Sequence, residues 1–197
     1  MGLKARFTCS RLYYGVTVFF GLSAVRSIRI SRETNGALES EAERRKVTFN
    51  QLVSSILTKY CEWDRFAEKL GYVGNSAALY RQLISLIPED KVEEVGVDSG
   101  RMIKEALLLW YKKADTHSLL LWLSNVCKYV WGPFVQYDQR EVGENYVLTL
   151  HHTFGRKWST AQAHGLRESF KDVTGLEPKI VTTDNMIAIT LPISPKT

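Results

Sequence analysis

Between residues 26 and 62 the hydrophobic period changes twice in a short stretch, and this limits the local fold more than any other feature of the chain. Residues 26–31 (RSIRIS) alternate with period two: Ile28 and Ile30 share one face, and Ser27, Arg29 and Ser31 the other. Residues 32–46 then follow a helical period with a thin apolar stripe, Leu38 and Ala42, closed by Val47. Gly36 interrupts it, and a mid-helix glycine costs about 1 kcal/mol relative to Ala, so an irregular first turn is expected. Thr48 and Gln51 have the spacing of a capping box, which restarts a helix. Leu52, Val53, Ile56, Leu57 and Tyr60 continue at helical spacing to about Trp63. The expectation is strand, helix, tight turn, helix, with an apolar face too small to be stable alone.

Ile28-Arg29-Ile30-Ser31 followed by Leu38, Ala42, Val47-Thr48, Leu52, Ile56 and Tyr60 resembles the ribbon-helix-helix family, which includes the Arc, MetJ and CopG-type repressors. The match covers under a fifth of the chain and rests on the order and spacing of the set. The resemblance implies an obligate homodimer in which two such strands pair antiparallel and enter the major groove of double-stranded DNA. Ser27 and Arg29 then occupy base-reading positions. Val25 holds a third such position, where a polar residue is usual. A guanidinium at Arg29 can contact guanine O6 and N7 together. Thr48, Phe49 and Asn50, at the start of the second helix, correspond to a phosphate grip of free amides and positive dipole end. Arg26 and Arg32 are implied backbone contacts. The competing reading is an ordinary strand–helix–helix fragment whose arginines are solvated.

Charge agrees in its location. Of the 26 Lys and Arg, six lie in residues 1–32, which hold no acid; the remaining 20 face 21 Asp and Glu. The excess cation, net +5, therefore lies at the N-terminal end, where a polyanion would be met. Cys9, Cys61 and Cys127 are odd in number and widely spaced, which makes no disulfide framework and fits a reducing cytoplasm. Residues 12–25 (LYYGVTVFFGLSAV) follow Lys4, Arg6 and Arg11 in the outline of a signal segment, yet are short for a membrane span and rich in strand formers. An extra strand, an export segment and translated upstream sequence from a misplaced start all remain open for residues 1–25.

After a GYVG linker at 71–74, residues 76–193 are expected to form a second domain. Helices are expected over 76–87, 102–111 and 118–131, with a charged turn around Val92, Val95 and Val97. Strands are expected from Pro133 to about Gln139 and over 146–152, then a helix over 158–173 stopped by Gly175. Strands 179–183 and 186–191 are joined by Asp184-Asn185. The whole reads as α+β: a dimeric β-α-α module at 26–70, then a sandwich of helices on a mostly antiparallel sheet.

No catalytic motif stands out, and the chain is not expected to be an enzyme. One branch of the family senses nickel through His and Cys ligands in its C-terminal domain. Here His151 and His152 are adjacent in a strand and point to opposite faces, so at most one joins a given site. A set of His152, His164 and Cys127 is weighed against core and surface roles, and the latter are preferred: no metal or cofactor is expected. Trp110, Trp122, Trp131, Phe134 and Trp158 could line an apolar pocket for a small-molecule effector, with core packing as the default. The turn HHTFGRKWS at 151–159 could cradle an anion through Arg156 and Lys157. The resulting expectation is a cytoplasmic, sequence-specific transcriptional regulator, with no membrane, forming a homodimer or higher homo-oligomer. The alternative is an antitoxin-like module that uses the same dimer to hold a protein partner.

Overall fold

The computed structural model describes residues 25–193. The chain divides into two compact units, one up to Val53 and one from Ser54 onward. The division falls inside a helix, not at the glycine linker expected to end the first domain.

In the first unit, helix α1 (Arg32–Arg45) starts where Ser31 accepts a hydrogen bond from the Thr34 amide at 3.0 Å. It runs through Gly36 without a break. Lys46 ends it in the left-handed region (φ 55°), and the Val47 amide returns to the Ala42 carbonyl at 3.0 Å. Helix α2 (Phe49–Lys59) opens on the expected box: Gln51 Oε1 accepts from the Thr48 amide (2.9 Å), and Thr48 Oγ1 accepts from the Gln51 amide (3.2 Å). Ala42 and Leu52 are the buried apolar side chains of this unit among the described residues. The expected strand at 26–31 does not form in the single chain: the segment has no regular secondary structure, pairs with no strand among the described residues, and is exposed.

Beyond α2 the backbone widens into a π-helical turn (Tyr60–Asp64), then passes through α3 (Arg65–Ala67) to a left-handed Gly71. These residues belong to the second unit for a packing reason. Trp63 lies 4.7 Å from Trp110 ring to ring, and the Trp110 indole donates to the Glu62 carbonyl at 3.0 Å. Helices α4 (Ala77–Ser85), α5 (Val92–Arg101), α6 (Ile103–Tyr111) and α7 (Thr116–Val126) follow. The supposed charged turn is thus helix α5. Its glycines, poor helix formers, are selected by packing against α8 (Arg156–Thr174). A Cβ on Gly96 would lie 2.2 Å from the Ala161 carbonyl oxygen, and one on Gly100 2.3 Å from that of Gly165. Helix α7 is capped by a reciprocal Asp115–Ser118 box and ends in a second π-helical turn, Cys127–Trp131.

The sheet is antiparallel in the order β1-β2-β4-β3, from β1 (Val135–Val142), β2 (Asn145–His152), β3 (Lys179–Thr182) and β4 (Met186–Pro192). Strand β1 starts two residues later and ends three residues later than expected, because Gly132–Phe134 form a tight 3₁₀ turn. The Gly175 stop and the β3–β4 hairpin fall where expected. Period two puts Leu148, Leu150 and His152 of β2 and Ile187, Ile189 and Leu191 of β4 on one face, buried with Leu107, Leu119, Leu123, Trp158 and Phe170. The other face takes no part in that core.

Candidate functional site

The residues expected to meet DNA fall into two groups within the first unit. Arg26, Ser27 and Arg29 lie on the exposed segment before α1, and Arg32 is the first residue of α1. Ile28 is 69% exposed although apolar, and Ile30 is 36% exposed. Thr48, Phe49 and Asn50 lie at the far end of α1, on the order of 20 Å along its axis from Arg32 by helix rise. The chain therefore does not gather the two groups into one cluster. Thr48 is engaged in the cap of α2: its amide donates to Gln51 Oε1. The Phe49 and Asn50 amides, in the first turn of α2, have no acceptor among the described residues. On α1, Glu41 bridges Arg44 (2.6 Å) and Arg45, and these guanidiniums hold its carboxyl down to about 2. Those two arginines are thereby partly neutralised, while no acid pairs with Arg26, Arg29 or Arg32 among the described residues.

Sequence reasoning missed the polar centre of the second unit. His152 points into the core from the end of β2, and its Nδ1 accepts the Phe154 amide at 3.2 Å. The proton must therefore sit on Nε2, which lies 2.7 Å from Ser159 Oγ and donates to it. A histidine that activates serine has to accept its proton. This one gives a proton, so the pair ties β2 to α8 instead of forming a nucleophile and base. The ring also packs 4.3 Å from that of Trp158, and burial, with a smaller contribution from His151, pushes its pKa down to about 4. Its inward parity and the Gly155 turn were the signals that could have exposed the contact.

The anion cradle expected at the same turn does not form around Lys157. Its ammonium donates to the Ser85 and Ile87 carbonyls at 3.0 and 2.7 Å, covering the end of α4, with Glu89 3.5 Å away. Arg81 also ties α4 to this turn, through the Thr153 carbonyl and hydroxyl at 3.0 and 2.9 Å. The aromatics pack on one another: Trp131 and Phe154 lie 5.0 and 5.3 Å from Trp158, and Trp110 stacks with Trp63 and Phe66. His164 reaches Glu93 at 3.5 Å, and the buried Cys127 thiol is pushed up to about 12 by desolvation. No group of three His, Cys, Asp or Glu suited to a metal ion occurs among the described residues. No helix among them is long and apolar enough to cross a membrane. Residues 1–24, including Cys9 and most of the signal-like segment, lie outside the described residues. Comparison with family models, curated proteins and solved structures finds no match.

Proposed function

We propose that this protein is a sequence-specific DNA-binding regulator that reads the major groove as a homodimer, through a ribbon made from residues 26–31 of two chains. The observation that carries this reading is the unpaired, exposed segment 26–31 itself, which holds two isoleucines in solvent and, with Arg32 next to it, three arginines without an acid. In a lone chain such a strip leaves its apolar side chains in water and most of its amides and carbonyls open to a pairing strand. A second copy of the same strip satisfies all three, because antiparallel pairing is two-fold symmetric. The pair then presents Ser27 and Arg29 outward, with Arg26 and Arg32 beside the phosphates.

Exposed apolar side chains on the second helix and at the start of the π-helical turn after it agree with burial on dimerisation. Ile56, Leu57 and Tyr60 are each about half in solvent. The second unit, with its helix-covered sheet, is the candidate oligomerisation or effector-sensing part. The test uses the full chain. Sedimentation should give a dimer or a higher homo-oligomer, and duplexes selected from a random pool should converge on a two-fold-symmetric site. Ile28→Glu should abolish selection of that site. A folded monomer that binds a converged site, or an Ile28→Glu protein that still selects the two-fold-symmetric site, would contradict the ribbon.

A further inference from the structure

We propose that the open face of the sheet is an interface between two copies of this chain, a contact separate from the N-terminal ribbon. The face lies opposite the core. Its central positions, Val147, Thr149 and His151 on β2 with Met186, Ala188 and Thr190 on β4, alternate with the buried residues of the same strands. None is Asp, Glu, Lys or Arg, in a chain where such residues make up 24%. A sheet face kept in water ordinarily carries these charges, which also guard it against stacking. The charges of this face, Asp138 and Arg140 on β1 and Lys179 on β3, lie on the two edge strands, while Val147, Thr149, Ala188 and Thr190 in the middle are small or β-branched, as on an inner face of a sandwich.

The rim says what covers it. Edge strand β1 places Asp138 and Arg140 on this same face, two residues apart, opposite Thr149 and Val147. The Arg140 guanidinium reaches Asp138 at 2.6 Å, beside a shallow groove of about 310 Å³ that includes Thr149 and His151. A two-fold axis crossing the strands between these two rows lays each Arg140 over the partner's Asp138, and each Val147 over the partner's Thr149. Self-complementarity of this kind is what a closed, isologous contact requires. Strand spacing and rise give the face roughly 19 Å by 24 Å, so two copies cover on the order of 900 Å² in projection and more in accessible surface. That is near the roughly 1,000 Å² a specific interface needs.

The test is cross-linking of the full chain carrying Cys9→Ser and Cys61→Ser, with Thr149→Cys as the probe and Glu105→Cys, exposed on α6, as the control. A bis-maleimide spanning about the 10 Å separation of packed sheets should convert the Thr149→Cys protein to a species of twice the chain mass. It should leave the control single. Adding Asp138→Arg should abolish the product, and Asp138→Arg with Arg140→Asp should restore it. The proposal is overturned if Thr149→Cys reacts with a monofunctional maleimide as fast as the control and gives no product. It is equally overturned if that cysteine is shielded without cross-linking, which would mean that the chain's own N-terminal segment covers the face. Cross-linking that survives Asp138→Arg would contradict the two-fold arrangement.

Discussion

His152 shows how a single side chain sets a pH limit. Unfolded, an imidazole titrates near pH 6.5; in the fold its burial, with a smaller contribution from His151, holds it neutral down to about 4. Between those values the unfolded chain binds a proton that the folded chain refuses. Stability from this residue is therefore full above about pH 6.5 and declines as pH falls toward 4, with no further loss below. The decline amounts to about 3 kcal/mol. Urea midpoints measured across that range should fall for the wild type, and His152→Asn should be less stable at pH 7 but flatter with pH. A wild type whose midpoint holds from pH 7 to pH 4 would mean that the ring is hydrated. The same residue shows what stays hidden in sequence. Its strand parity is legible, and so is the Gly155 turn that brings Ser159 back toward it; the direction of the proton is not, because it depends on the Phe154 amide occupying Nδ1.

Local chemistry made several elements legible. The Thr48–Gln51 box, the Gly175 stop and the Asp184-Asn185 hairpin depend on neighbours a few residues away, and all three stand where the sequence puts them. Helix α5 failed for the opposite reason: Gly96 and Gly100 lower its propensity, and only contact with α8 explains them. One substitution made in two helices separates the effects. At Gly36 in α1 nothing lies within 4 Å of an added Cβ, so Gly36→Ala should stabilise by about 0.5–1 kcal/mol. At Gly100 the same methyl meets backbone that cannot move aside, and Gly100→Ala should cost about 3 kcal/mol or more. Thermal and denaturant unfolding should show opposite signs. Equal effects at both sites would mean that α5 and α8 do not cross closely. The anion cradle failed similarly: Arg156 and Lys157 look free in sequence, but Lys157 covers the end of α4, which is distant in the chain.

At the scale of the whole molecule, the proposed function assigns the two units different work. The N-terminal unit carries the unopposed cation and the exposed strip, and the second carries the core, the sheet and its open face. Net charge alone supports any polyanion partner, so the discriminating property is sequence preference. Arg29, set between two isoleucines, is the residue assigned to a base edge; Arg32, at the start of α1, is assigned to the phosphates. The decisive measurement is the affinity of Arg29→Ala and Arg32→Ala for a selected site and for random duplex, over a salt series, with both variants verified as folded dimers. Loss of a bidentate base contact should cost about 1–3 kcal/mol on the selected site and little on random DNA. Loss of a phosphate contact should weaken both alike and reduce the salt slope by about one unit. The account predicts the first pattern for Arg29→Ala and the second for Arg32→Ala. Equal losses on selected and random duplexes for Arg29→Ala would contradict it, leaving a basic strip that reads no sequence.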